Sequence, residues 1–306
     1  MTVPMRGPLT RPAAPLMLAG HGTVDASGVA EFVSFTDRVR RLLAAEEIDV
    51  DGGFIELSPP TVHEAWAALT DRGHQHRAAV PMVLVAAGHA KGDIPAALER
   101  EVRREPGTSY VFGRPLGPHP VLQEILAARI GAVAEPEGTA VLLVGRGSTD
   151  PDANAEVCKV ARLLQEGRSY EFVETAFVSL ARPDVATGLA RCRALGATRV
   201  VVAPYFLFDG VLPRRVVDQA RAFGAEHPDV DVRTAGHLGD CDELAGLVVE
   251  RYREALDGDI RMNCDTCAYR VLLPGFEDKL GAPQTPHHHP DDPADGSGHG
   301  HGHAHA

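Results

Sequence analysis

Aromatic residues make up only 5% of this chain, and there is one tryptophan among its 306 residues. Few rings are left to stack on bases or sugars. Positive charge is also short: 30 lysines and arginines against 42 acidic residues give a formal charge of -12. That balance excludes the basic footprint that a nucleic-acid binder needs. No apolar run approaches the roughly 20 residues needed to cross a bilayer. The first residues carry Arg6, Arg11 and four prolines before Leu16, without the uninterrupted apolar core of a leader peptide. These absences predict a cytoplasmic protein with neither membrane nor nucleic acid as a partner. Five cysteines are too few and of the wrong parity for a disulfide framework. What the chain does have is a 44% hydrophobic fraction, enough for a sizeable core, and 15 histidines, seven of them between His287 and Ala306.

Short apolar runs alternate with helical periods, the pattern of a parallel sheet covered by helices. Leu16–Ala19 reads as a strand broken by Gly20-His21-Gly22-Thr23. A helix follows with Val29, Phe32, Val33, Thr36, Val39 and Leu43 on one face. Phe54–Leu57 reads as a second strand, Val62, Ala65, Trp66 and Leu69 as the stripe of a second helix, and Pro81–Ala87 as a third strand before Gly88-His89. The order then repeats. Val141–Val144 leads into Gly145-Arg146-Gly147-Ser148, and a helix turns Val157, Val160, Ala161 and Leu164 inward. Phe177–Leu180 matches Phe54–Leu57, Val200–Ala203 matches the strand before His89, and Asp209–Pro213 matches Lys91–Pro95. The predicted architecture is α/β: two similar Rossmann-like domains related by internal duplication, over residues 1–134 and 135–260. Residues 261–306 follow as a cysteine motif and a disordered, histidine-rich tail.

Ligands of open parallel sheets sit outside the carboxyl ends of the strands. His21 and His89 each follow a predicted strand, and Glu56 lies near the end of the strand between them. Two imidazoles and a carboxylate at one edge can bind a divalent metal, or serve as base and acid near neutral pH. A lone histidine between two glycines is more often a turn residue, but the duplication points to a site. Arg146 stands where His21 stands, and Leu207 stands nearest His89, so the second half lacks the pair. Neither Gly-x-Gly turn extends to a dinucleotide fingerprint or a phosphate loop.

The segments Leu18–Thr23, Phe54–Leu57 and Ala86–Pro95 resemble those of sirohydrochlorin chelatases, the class II tetrapyrrole chelatases, as does Pro204–Gly210. Met262-Asn263-Cys264-Asp265-Thr266-Cys267, followed by a histidine-rich tail, is similar to the long cobalt-inserting form called CbiX. The resemblance implies two α/β chelatase domains facing each other across a cleft, and a lyase of anaerobic-type cobalamin biosynthesis. That lyase would insert Co²⁺ into sirohydrochlorin without ATP. The family's catalytic histidines fall on His21 and His89, which would also hold the cobalt. Its substrate-contacting glutamate falls on Glu56, and its substrate loop on Leu84, Val85, Ala86, Ala87, Gly88 and His89. The implied substrate is a polycarboxylate. Lys91, Arg146, Arg214 and Arg215 follow predicted strands on the same edge, where a guanidinium could grip a carboxylate through two hydrogen bonds. Arg146 and Arg214 are the ones expected to bind substrate.

Cys158 and Cys192 fall in helical patterns and read as small core residues. Cys264 and Cys267 present two thiolates at a spacing suited to one metal or an iron–sulfur cluster. A cluster wants four thiolates, so other cysteines or a second chain, as in a homodimer, would supply the rest. Iron insertion for sirohaem is the main alternative activity. A cobalt or nickel store or chaperone, with the tail as its working part, is the alternative of a different class.

Overall fold

A computed structural model describes residues 14–258 and 277–279. The first half runs β1 (Leu16–Gly20), α1 (Ala26–Leu43), β2 (Val50–Phe54), α2 (Val62–Asp71), β3 (His76–Pro81), α3 (Ile94–Arg104), β4 (Ser109–Phe112) and α4 (Pro120–Gly131). The second repeats it as β5 (Ala140–Gly145), α5 (Pro151–Gln165), β6 (Val173–Phe177), α6 (Val185–Ala194), β7 (Arg199–Pro204), α7 (Val211–Glu226), β8 (Asp231–Thr234) and α8 (Asp242–Asp257). Each half forms an all-parallel four-stranded sheet, in the orders β2-β1-β3-β4 and β6-β5-β7-β8. The two parallel sheets flanked by helices are those expected from the alternating pattern. No helix among the described residues is long and apolar enough to cross a membrane.

Alternation along the central strands sorts side chains into three cores. Leu16 and Leu18 face one way, into a cluster that also takes Val141 and Leu143 from the other sheet. Met17 and Ala19 face the other way, against the Val62, Ala65, Trp66 and Leu69 stripe of α2 and against α3. Leu142 and Val144 face α6 and α7 in the same manner. The middle core is therefore shared between the sheets, and α1, α8, α4 and α5 form the layer between them.

The last helix of each half is exchanged. α8 packs on β3, β4 and α1 of the first half, while α4 packs on α5 and β7 of the second. Fully buried Arg251 of α8 donates to the carbonyls of Pro115 (3.1 Å) and Leu116 (3.0 Å). Arg114 meets Glu254 through two hydrogen bonds of 2.8 Å. On the other side, Arg129 of α4 donates to the carbonyls of His237 and Leu238.

Several elements differ from the sequence reading. The strands β2, β3 and β6 end where Phe54–Leu57, Pro81–Ala87 and Phe177–Leu180 were expected to run as strands. β2 contains Asp51, Gly52 and Gly53, residues poor in strands, which hid it. On α1, Phe35 is buried and Val33 is exposed. Cys192 is buried as expected. Cys158 instead lies exposed on α5, its sulfur 3.6 Å from the Thr175 hydroxyl. Cys264, Cys267 and the histidine-rich tail lie outside the described residues.

Candidate active site

His21 is the first residue after β1, and two backbone hydrogen bonds zip the following loop to the one after β2. Ile55 N–H donates to Gly20 O (2.9 Å) and Glu56 N–H to His21 O (3.2 Å). This approach needs a glycine at position 22. Its φ is +116°, and a Cβ there would stand 2.0 Å from the Glu56 carbonyl oxygen. Gly147 repeats the device against Ser179, with φ +89° and the same 2.0 Å approach. The Gly-x-Gly turns thus bring two loops together rather than cradle a phosphate. As a result Glu56 sits in a loop, not on a strand end, with its Oε1 2.9 Å from His21 Nε2.

β3 ends at Pro81, and the chain crosses as residues 82–88 before His89 opens a π-helical turn, His89–Asp93, that runs into α3. Four hydrogen bonds fix this crossing loop. Met82 N–H donates to Ala19 O, Leu116 N–H to Val83 O, Gly117 N–H to Leu84 O, and Ala86 N–H to the buried carboxylate of Glu156 (3.0 Å), which comes from α5 of the second half. The loop's apolar sequence read as a strand because its side chains are apolar for another reason. Met82, Val83, Leu84, Val85 and Ala87 line the cleft between the halves.

The rings of His21 and His89 meet at a centroid distance of 4.1 Å, inclined by 61°. His89 Nδ1 lies 2.7 Å from Asp93 Oδ2. A carboxylate can only accept, so it assigns the proton to Nδ1 and the lone pair to Nε2. His21 Nδ1 lies 3.2 Å from the Gly22 carbonyl, which likewise assigns its proton to Nδ1. The Nε2 that faces Glu56 then carries the lone pair, 2.9 Å from a carboxylate oxygen. Among the described residues no group of three or more His, Cys, Asp or Glu side chains is arranged to hold a metal ion. What the structure brings together is two imidazoles, each with a carboxylate partner.

Both histidines face a cleft, open to solvent, at the carboxyl ends of both sheets. Phe32, Phe54, Phe206 and Leu207 give it apolar walls, and Arg146 of the second half faces the histidine pair's chamber. Of the loop expected to contact substrate, Leu84, Val85, Ala87, Gly88 and His89 line the cleft, while Ala86 is turned into the protein and held by Glu156.

Two of the expected carboxylate binders are engaged elsewhere. The Lys91 ammonium lies 2.7 Å from Asp150 and 3.3 Å from Asp152, both nearly inaccessible. Arg214 is absent from the cleft lining and clasps the halves together. It binds Asp25 through two hydrogen bonds of 2.7 and 3.0 Å, Asp209 at 2.8 Å, and Ser27. Its guanidinium holds the Asp209 carboxyl below the usual carboxylate range. Asp25 is lowered as well, chiefly by the Ser27 hydroxyl with Arg214 adding to it. Sequence reasoning passed over Asp93 and Glu156. The spacing of four between His89 and Asp93 on a helix start was a usable signal. Glu156 carried none, since its partner is a backbone amide 70 residues away.

The sequence model of the CbiX family matches residues 15–133 and again 140–255. The chain is 37% identical over 262 residues to the sirohydrochlorin cobaltochelatase of Priestia megaterium, covering 84% of each protein. It is 30% identical over 238 residues to the sirohydrochlorin ferrochelatase of the same organism, covering 77% of this chain and 88% of that one. Among solved structures it is similar to SirB from Bacillus subtilis with Fe³⁺, with a TM-score of 0.70 and 27% identity over 81% of this chain and 97% of that one.

Proposed function

The chain belongs to the CbiX family of sirohydrochlorin chelatases, and on that premise we propose that it inserts a divalent metal, Co²⁺ by preference, into sirohydrochlorin as a lyase of cobalamin biosynthesis. The observation that carries this reading is the pair His21 and His89, ring against ring with Glu56 beside it, in the cleft between the two halves. Insertion must strip water from the metal and remove two pyrrole N–H protons. Imidazole suits cobalt, iron and nickel, so the two Nε2 atoms can receive the ion as it sheds water. The pyrrole protons pass to the Glu56 carboxylate, which, half exposed, hands them to solvent. Arg146, which lines the same cleft, would hold a substrate carboxylate, and the apolar loop Leu84–Gly88 would take the ring face. Neither task calls for a nucleotide.

Cobalt is favoured by the identity to a cobaltochelatase over most of both chains. Iron is the second reading, favoured by the ferrochelatase relative. Purified protein with sirohydrochlorin and Co²⁺, Fe²⁺ or Ni²⁺, followed by absorbance, tests both. Fastest turnover with Co²⁺ supports the proposal, fastest turnover with Fe²⁺ reassigns the metal, and no turnover with any of them rejects a chelatase.

Two further outcomes are expected. Glu56→Gln keeps the shape but not the proton-accepting charge. It should slow insertion by about 10²-fold, with the melting temperature unchanged because the side chain is half in water. Wild-type rates in that variant would return Glu56 to a surface role. Deleting residues 281–306 should leave insertion intact at saturating Co²⁺ and weaken it when free Co²⁺ is scarce, since the histidine run can capture the ion for the body. Equal rates of both proteins at limiting Co²⁺ would reject capture.

A further inference from the structure

Of the three non-glycine residues with positive φ among the described residues, two are Leu57 and Leu180, at +71° and +56°. They hold equivalent places in the two halves, each the centre of a three-residue γ-turn. Ser58 N–H donates to Glu56 O across Leu57 (2.9 Å), and Ala181 N–H donates to Ser179 O across Leu180 (2.6 Å). A γ-turn of this hand is rare and strained, and a bulky residue is among the poorest choices for it. Glycine would adopt it without steric penalty. Core packing does not explain the leucines, because they are 44% and 39% exposed.

Function does discriminate between these positions and their neighbours. Around them the halves have diverged, with Arg146 in place of His21, Ser179 in place of Glu56 and Leu207 near the place of His89, yet the leucine stands in both. Both side chains also stand at the cleft. Leu180 lines the main chamber, and Leu57, together with Val24 and Pro213, lines an adjoining hollow that shares His21, Thr23 and Arg146 with it.

We propose that Leu57 and Leu180 are a pair of apolar jaws that select a flat macrocycle, gripping its apolar ring from the two halves while the histidines act at its centre. The inference rests on the chelatase reading above and extends it to the specificity of the same cleft. A tetrapyrrole of this class carries its charge on the rim and presents apolar faces. Exposed leucines are unfavourable in the empty protein and gain by being covered when such a face arrives. Holding them on strained turns aims them at the cleft rather than along the surface.

The test is the double variant Leu57→Gly with Leu180→Gly. Glycine relaxes both turns, so the melting temperature should stay level or rise. The KM for sirohydrochlorin, and the Kd from absorbance titration of metal-free sirohydrochlorin, should rise about ten-fold, more than kcat falls. The double Leu→Met variant should restore most of the affinity. A double Leu→Asn variant, whose side chain tolerates positive φ, should bind as weakly as the double glycine. Unchanged KM and Kd in the glycine variant would overturn the proposal, as would weaker binding accompanied by a lower melting temperature, because that pattern marks a structural role. Wild-type turnover beside unaltered affinity in the variants rejects the jaws alone. A wild-type chain that binds no tetrapyrrole rejects the chelatase reading and the jaws with it.

Discussion

His89→Ala is expected to lower the rate of metal insertion by about 10³-fold or more while the melting temperature stays within a few degrees of wild type. The loss is large because the imidazole is asked to do a task nothing beside it can take over. Its ring meets that of His21, its Nδ1 is tied to Asp93, and Leu207, the nearest counterpart in the second half, has no lone pair to offer. The fold should tolerate the change because the crossing loop before it is held by backbone hydrogen bonds and by Glu156, none of which involves the ring. His21→Ala should be as damaging, and the double variant little worse than either, since residues that act as a unit are not additive. Asp93→Asn should cost about 10–100-fold, the scale expected when the partner that fixes a ligand's tautomer is weakened. Insertion assays under identical metal concentrations read all four. Retained activity in His89→Ala would remove the pair from the chemistry.

The largest effect on stability is expected at Arg251. Replacement by methionine of similar reach should destabilise the protein by about 3–5 kcal/mol, the range for breaking a buried charged network while its partners remain. The guanidinium has no accessible surface, and its removal strands the carbonyls of Pro115 and Leu116 and takes one partner each from the carboxylates of Glu250 and Glu254. Burial lowers the pKa of Arg251, the same desolvation that makes its hydrogen bonds obligatory. Because α8 belongs in sequence to the second half and in space to the first sheet, loosening it should undermine both. Calorimetry should therefore show one transition, shifted down by roughly 10 °C at about 2–4 °C per kcal/mol for a chain this long. Two separate transitions, with only one displaced, would mean that the halves fold independently and that the exchanged helices do not couple them.

The fold was legible wherever burial followed a simple period. Val62, Ala65, Trp66 and Leu69 on α2, and Val157, Val160, Ala161 and Leu164 on α5, are buried as their spacing requires. It was illegible where apolar residues serve something other than a sheet. Met82–Ala87 looked like a strand because a cleft wall has the composition of a core, and the true strand β3 was masked by Arg77. That arginine is buried with its guanidinium 3.8 Å from the centroid of Trp66 and donates to the His74 carbonyl, and desolvation brings its pKa down to about 10. The exchange of α4 and α8 left no trace in the sequence, because an amphipathic stripe does not say which sheet it covers. At the site, His21 and His89 were legible through the broken symmetry of the duplication. Lys91 and Arg214 were misleading because a basic residue at the right edge of a sheet looks the same whether it faces a ligand or an aspartate.

The central claim is that one ion is received by the two facing imidazoles. The most direct measurement is a crystal of the protein grown with Co²⁺, with anomalous differences recorded on both sides of the cobalt edge. The account predicts a peak in the cleft between His21 and His89, within about 2.0–2.2 Å of an imidazole nitrogen of each. Cobalt held only elsewhere on the chain, with the two rings still in contact and no density between them, would contradict it.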